Sequence, residues 1–186
     1  MGFHTFDVDR ASELERPEVR YRWVSAEELV GPLAAADVEV VADLGSGTGF
    51  YTDDVAPHAE TVYGVDVQPE MHDRYREKGV PENVELVVSD VADLPFADGE
   101  LDAAFSTMTY HEFASDAALA ELARTIRSGG SLVTFDWSAD GDGDGGPPTD
   151  ERFAAADAVA ALEAAGFEVV SESTRTETFG VVARAP

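Results

Sequence analysis

Short apolar runs alternate with longer stretches of helical spacing from about residue 38 onward. The runs are Val38 to Leu44, Thr61 to Asp66, Val84 to Val88, Leu101 to Ser106 and Ser131 to Trp137. Each is bounded by Gly, Pro, Asp or Ser, as buried parallel strands are. Between them the period changes. In Ser115 to Arg127, Leu119, Leu122, Ala123 and Ile126 fall at i, i+3, i+4 and i+7, with Ser115 placed as a cap and Gly129 just past the end. Asp150 to Ala165 repeats the pattern through Ala155, Val159 and Leu162 and stops at Gly166. The alternation predicts an α/β domain with helices on both faces of a mainly parallel sheet.

The two ends break the rhythm. Phe167 to Thr174 and Thr178 to Arg184 are strands with no room for a crossover helix between them, so they form an antiparallel hairpin at a sheet edge. Ser25 to Glu28 reads as a capping box opening a helix through Leu29, Val30 and Leu33, which Gly31-Pro32 should kink or break. Asp140 to Pro148 (DGDGDGGPP) is low in complexity and is expected to be a flexible, solvated loop. No internal repeat or linker divides the chain.

Composition narrows the chemistry. The 186 residues fit one domain, and 44% hydrophobic content is enough for an ordinary core. Twelve basic residues face 38 acidic ones, a net charge of −26, and Lys78 is the one lysine. Without a basic cluster, neither nucleic acid nor an anionic membrane is an expected partner. The acidic residues are dispersed, which describes a solvated coat resembling that of proteins from salt-accumulating halophiles. Zero cysteines exclude disulfides, zinc thiolates, iron–sulfur clusters and a thiol nucleophile. No run approaches the roughly 20 apolar residues of a membrane helix, and the amino terminus lacks the apolar stretch of a signal peptide. The expected compartment is the cytoplasm.

The most informative stretch follows the first strand: Asp43-Leu44-Gly45-Ser46-Gly47-Thr48-Gly49. Glycines at a strand-to-helix turn let the backbone bend sharply and let a ligand lie against the main chain. The spacing is G-x-G-x-G with an acidic residue before it, unlike the G-x-G-x-x-G of dinucleotide folds. Asp66 ends the second strand, where a ribose diol would lie, and Asp90 follows the third, where it could accept from an exocyclic amine. Three carboxylates at carboxyl ends of strands would repel a pyrophosphate. They suit a ligand carrying a cation and a diol.

These segments resemble the class I S-adenosylmethionine-dependent methyltransferases of the UbiE-like, type-11 kind. The resemblance covers residues 36–186 and rests on VVADLGSGTGF (Val40 to Phe50), VYGVDVQPEM (Val62 to Met71), SDVADLPFADGELDAAFS (Ser89 to Ser106) and RSGGSL (Arg127 to Leu132), in that order. It implies a Rossmann-like, doubly wound sheet of seven strands in the order 3-2-1-4-5-7-6, with strand 7 antiparallel. It also implies S-adenosylmethionine as cofactor and S-adenosylhomocysteine as product. Asp43, Gly45, Ser46, Gly47 and Gly49 then match the loop on the methionine portion, Asp66 the ribose contact with Val67 beside the adenine, and Asp90 with Val91 the adenine edge. Residues 1–35 match a region that in relatives folds over the cofactor. Packing on the sheet edge is the equal alternative for that region, which holds His4 and the group Tyr21-Arg22-Trp23.

After the fourth strand comes Ser106-Thr-Met-Thr-Tyr-His-Glu-Phe113, matching the segment that faces substrate. His111 is the candidate base, with an ordinary pKa near 6.5, and capping the next helix is its structural alternative. Tyr110 could orient the acceptor. Asp136 and Trp137 could line the pocket, with Trp137 as readily core. His58 and His72 are expected at the surface, and no His/Asp/Glu spacing suggests a metal. The reading is methyl transfer to a small-molecule acceptor by a monomer or homodimer. Alternatives are a non-catalytic cofactor-binding protein and an NAD(P)-dependent oxidoreductase.

Overall fold

The computed structural model describes residues 5–34 and 38–186, so His4 of the N-terminal segment lies outside the described part. Seven strands form one sheet: β1 (Val40–Leu44), β2 (Thr61–Asp66), β3 (Val84–Val88), β4 (Leu101–Thr107), β5 (Ile126–Trp137), β6 (Glu168–Thr174) and β7 (Thr178–Arg184). Their order is β3-β2-β1-β4-β5-β7-β6. β1 pairs in parallel with both β2 and β4, whereas β7 runs antiparallel to β5 and β6. The chain reverses its direction of travel across the sheet between β1 and β4, which leaves a crevice at their carboxyl ends, where open α/β sheets take ligands.

Period-two burial sends successive side chains to opposite faces. Ala42, Leu44, Ala104, Leu132 and Val181 pack with α6 (Asp116–Thr125) and α7 (Ala155–Ala164) through Leu119, Leu122, Ala158 and Leu162. Val41, Ala103, Phe105, Val133 and Phe135 pack on the other face. There α2 (Ala26–Ala34), α3 (Phe50–Val55) and α4 (Pro69–Lys78) contribute Leu29, Leu33, Tyr51, Val55 and Tyr75. Two further α-helices are short: α1 (Pro17–Trp23), and α5 (Tyr110–Phe113) just after β4.

The expected caps form. Ser25 and Glu28 exchange side-chain-to-backbone hydrogen bonds of 3.0 and 3.3 Å, and Ser115 Oγ accepts from the Ala118 N–H. Pro32, by contrast, does not break α2. It is the third-last residue of a nine-residue helix, so the helix forgoes the one bond its N–H would have made to the Glu28 carbonyl and ends two residues later. Helix α6 ends at Thr125 and not near Arg127, because Ile126 turns extended and pairs with Leu101. A register shift then accommodates Gly129-Gly130 before Ser131 pairs with Ala103. Helix α7 starts at Ala155, after a single 3-10 turn at Thr149–Glu151.

The segment from Asp140 to Pro148 is pinned rather than loose. Buried Arg152 donates to the Ser138, Gly145 and Pro147 carbonyls, and Glu177 accepts from the Gly143 and Asp144 N–H groups. A Cβ on Gly146 would sit 2.3 Å from the Trp137 ring, so glycine lets the backbone lie flat on the indole. Trp137 itself is core, edge-on to Trp23 at 5.1 Å.

Candidate active site

The glycine turn leaves β1 with Gly45 and Ser46 both donating to the Val65 carbonyl, which ties it to the end of β2. Gly45, Gly47 and Gly49 all adopt positive φ, between 55° and 79°. At Gly49 no side chain fits, since a Cβ would stand 2.0 Å from the Tyr75 ring.

Two carboxylates flank this turn. Asp43 is buried at the end of β1, with Oδ2 accepting from the Thr52 hydroxyl at 2.6 Å. Its Oδ1 is buried with no partner. Burial raises its pKa to about 7, with the Thr52 bond opposing, the Asp66 charge reinforcing and the Arg20 charge opposing. Asp66 accepts one N–H on each oxygen, from Gly47 and from Gln68, both at 2.8 Å. A carboxylate oxygen has two lone pairs, so each keeps one for a further donor. Burial also raises the Asp66 pKa, against the backbone donors that lower it.

The remaining cofactor candidates lie around this pair. Val67 is exposed beside Asp66, whereas Val91 is buried in the core. Asp90 is exposed, and its Oδ1 accepts from the Ala92 N–H at 2.8 Å to close a local turn. His72 is fully buried, contrary to its expected surface position. It occupies the inner face of α4 with Met71 and Tyr75, its Nε2 lies 3.5 Å from Ser46 Oγ, and burial lowers its pKa. His58 is exposed, as expected.

An N-terminal 3-10 helix, Val8–Glu15, crosses over the turn. Leu14 Cδ1 lies 3.6 Å from the place a Cβ on Gly47 would take. Glu15 accepts from the Thr48 hydroxyl, and the Phe6 carbonyl accepts from Gln68 Nε2 at 3.0 Å.

On the β4 side the backbone is strained. Met108 has φ +63°, a left-handed conformation that is uncommon for a residue other than glycine. It is held there by its N–H on the Phe135 carbonyl at 2.7 Å, and by Thr109 Oγ1 donating to the Leu44 carbonyl at 2.8 Å. The bend starts α5 and carries His111 to the end of β5. Fully buried Asp136 there accepts the His111 backbone N–H at 2.6 Å and faces Nδ1 at 3.0 Å. Burial lowers the His111 pKa, but Asp136, Glu112 and Glu151 outweigh it and leave the ring above its ordinary value. Glu112, whose Oε1 is 3.9 Å from Nε2, is raised to about 7 by burial.

Tyr110 does not join this cluster. It packs edge-on against Phe113, Phe153 and Phe179, with its hydroxyl buried and unpartnered. Being the first residue of α5, it points into the core while His111 turns the other way, so the contact with acceptor expected of Tyr110 is replaced by packing.

A methyltransferase-domain family model matches residues 42–134, half of the chain, spanning the glycine turn, both flanking carboxylates and the β4 segment. The chain belongs to the class I S-adenosylmethionine-dependent methyltransferases. A solved methyltransferase of this cofactor class from Aquifex aeolicus is 29% identical with a TM-score of 0.85, over 98% of this chain and 100% of that one. An uncharacterised methyltransferase-like protein of Schizosaccharomyces pombe is 32% identical over 133 residues, 69% of this chain and 49% of that protein. Demethylmenaquinone methyltransferase of Corynebacterium kroppenstedtii is 37% identical over 101 residues, 54% and 42% of the two chains. The chain thus spans about half the length of these two curated relatives.

The residues here fit the cofactor of that family. The orphaned Asp43 Oδ1 has room for a donor such as an amino-acid ammonium, and each Asp66 oxygen has a lone pair left for a donor such as a ribose hydroxyl. Among the described residues no cluster of His, Cys, Asp or Glu could hold a metal, and no helix is long and apolar enough to cross a membrane.

Proposed function

We propose that this chain catalyses methyl transfer from S-adenosylmethionine to a small-molecule acceptor admitted beside His111. The observation that carries the reading is the pair of incompletely satisfied carboxylates, Asp43 and Asp66, on either side of the glycine turn. In this reading Asp43 with Gly45, Ser46, Gly47 and Gly49 holds the methionine portion. Asp66 takes the ribose hydroxyls, Val67 covers the adenine with Val91 behind it, and Asp90 meets the adenine edge. Residues 5–15 act as a lid, supported by Leu14 over Gly47 and Phe6 on Gln68.

The sulfonium supplies an activated methyl carbon, so the protein's tasks are alignment and proton removal. His111 is the proton acceptor, with a raised pKa that keeps a proton once received. The strained Met108 fixes where the imidazole stands relative to the glycine turn, because its neighbour Thr109 is bonded to the last residue of β1.

Thermal shift with S-adenosylhomocysteine against NADH tests the cofactor half of the proposal. At 100-fold excess over its dissociation constant a ligand adds about 2.7 kcal/mol of stability. The nucleoside should raise the midpoint and NADH should not. Asp66→Ala should remove the shift while leaving the unliganded midpoint within a few degrees of wild type. A shift by NADH alone would support the oxidoreductase reading. Tight nucleoside binding with no turnover across acceptor panels would support a binding protein.

A further inference from the structure

We propose that Asp136 is the positioning residue of a proton-accepting pair with His111, and that the pair commits the site to acceptors whose nucleophile is a neutral hydroxyl. This inference rests on the methyl-transfer reading and names its acceptor class.

The geometry assigns the protons. Asp136 is fully buried near the end of β5, and its carboxylate accepts two backbone N–H groups, from His111 at 2.6 Å and from Trp137 at 2.8 Å, while His111 Nδ1 lies 3.0 Å from both of its oxygens. An ionised carboxylate only accepts, so Nδ1 must carry a hydrogen. In the neutral ring that leaves Nε2 as a bare acceptor. Nε2 faces away from Asp136, towards the Glu112 carboxyl 3.9 Å off, too far for a direct hydrogen bond. Neither Nε2 nor the Glu112 carboxyl has a hydrogen-bond partner among the described residues. A hydroxyl placed between them would be offered one acceptor on each side.

The charges around the pair select among nucleophiles. His111 is faced by Asp136 on β5, Glu112 on its own helix and Glu151 on the 3-10 turn before α7, and Glu112 in turn feels Asp66 at the end of β2. These carboxyl groups stabilise an ammonium and so hold an amine in the protonated form, which has no lone pair to attack with. They repel a preformed phenolate or carboxylate. A neutral phenol, enol or alcohol meets neither obstacle if its proton leaves only as the new bond forms. At that step the acceptor oxygen forms the O–C bond while the S–C bond of the sulfonium breaks with its electron pair left on sulfur. The hydroxyl proton passes to Nε2, and Asp136 stabilises the resulting imidazolium. Atoms and charge balance without an added oxidant or metal.

The readout independent of activity is the imidazole tautomer. In protein carrying 15N-histidine, with S-adenosylhomocysteine present, long-range 1H–15N spectra at pH 8 should show His111 protonated at Nδ1 and bare at Nε2. The two backbone donors sit on different oxygens of Asp136, so Asp136→Asn keeps an oxygen for one of them and sets an NH2 beside the other and beside Nδ1, which should move the ring hydrogen to Nε2. Transfer of labelled methyl to a panel of phenols and enols should then fall by about 10²-fold or more. Affinity for S-adenosylhomocysteine should stay within twofold. Aniline and benzylamine analogues of the same rings should accept at least tenfold less than the phenols. A wild-type ring protonated at Nε2 overturns the pair, whether or not the variant folds, as does unimpaired transfer by a folded Asp136→Asn. Preference for the amines overturns the acceptor class. Failure of the wild type to bind S-adenosylhomocysteine would instead count against the methyl-transfer reading, and the tautomer measured without it would still decide the pair.

Discussion

Lys78 Nζ stands 3.2 Å from the Glu15 carboxylate, joining the N-terminal segment to the end of α4. The same ammonium lies 2.9 Å from Asp53 on α3 and over the Tyr75 ring at 4.7 Å, while Tyr75 donates to Asp53 at 2.6 Å. Glu15 also receives the Thr48 hydroxyl, so one half-buried cation links the segment above the glycine turn to both helices below it.

Lys78→Met keeps the aliphatic stem over Tyr75 and removes the charge. Half-exposed ion pairs contribute modestly, so unfolding free energy should fall by less than about 1 kcal/mol. Release of S-adenosylhomocysteine should accelerate several-fold in stopped-flow measurements if residues 5–15 cover the cofactor. An unchanged release rate would assign the segment to packing alone.

The pH dependence of stability follows from Asp43. Its pKa of about 7 in the folded protein lies above the roughly 4 of an unfolded aspartate, so between these values the native state binds more protons than the unfolded one. Stability should therefore fall as pH rises from about 4 to about 7 and level off above. Glu112, also near 7, and Asp66, raised as well, act in the same direction. Asp43→Asn should flatten this slope in urea titrations and be more stable than wild type at pH 8. It should also bind S-adenosylhomocysteine at least tenfold more weakly. Losing stability at pH 8 would show that the carboxylate is compensated in the unliganded protein.

Gly49→Ala should cost about 2–5 kcal/mol, from a left-handed backbone and the collision with Tyr75. Gly31→Ala is the matched control. It sits inside α2, where the new methyl meets nothing within 4 Å beyond its own helix and chain neighbours, but the adjoining Pro32 ring disfavours a Cβ on a helical residue before it, so the change should stay within about 1 kcal/mol of zero. The denaturant midpoint should fall far more for Gly49→Ala than for Gly31→Ala.

Arg152 and Glu177 form a buried ion pair at 3.1 Å that anchors the loop from Asp140 to Pro148. Arg152→Met leaves the Glu177 charge with the Gly143 and Asp144 N–H groups as its remaining partners and frees the Ser138, Gly145 and Pro147 carbonyls, so the denaturation midpoint should fall. Adding Glu177→Leu should recover part of that loss. Chemical denaturation of the single and double variants measures the difference.

The strands, the terminal hairpin and the glycine turn were legible because each rests on local pattern: apolar runs, a connection too short for a crossover, glycines where φ is positive; the strand order came from the resemblance to the methyltransferases. The loop from Asp140 to Pro148 was not, because its anchors Arg152 and Glu177 lie outside it and meet it only in the folded chain. The burial of His72 left a faint trace, since Met71, His72 and Tyr75 share one side of a helix whose other residues are mostly charged. Asp136 was read as a possible pocket residue, but its pairing with His111 depends on the bend at Met108, for which the sequence carries no glycine to mark it. Tyr110 was misplaced for the same reason: one residue of rotation in α5 decides which side chain enters the core.

Because Lys78 is the one lysine of this chain, amine-directed reagents have a single side-chain target besides any free amino terminus. Acylation there would neutralise the ammonium that ties the N-terminal segment to the body of the fold, so one fluorophore would both mark that junction and release it.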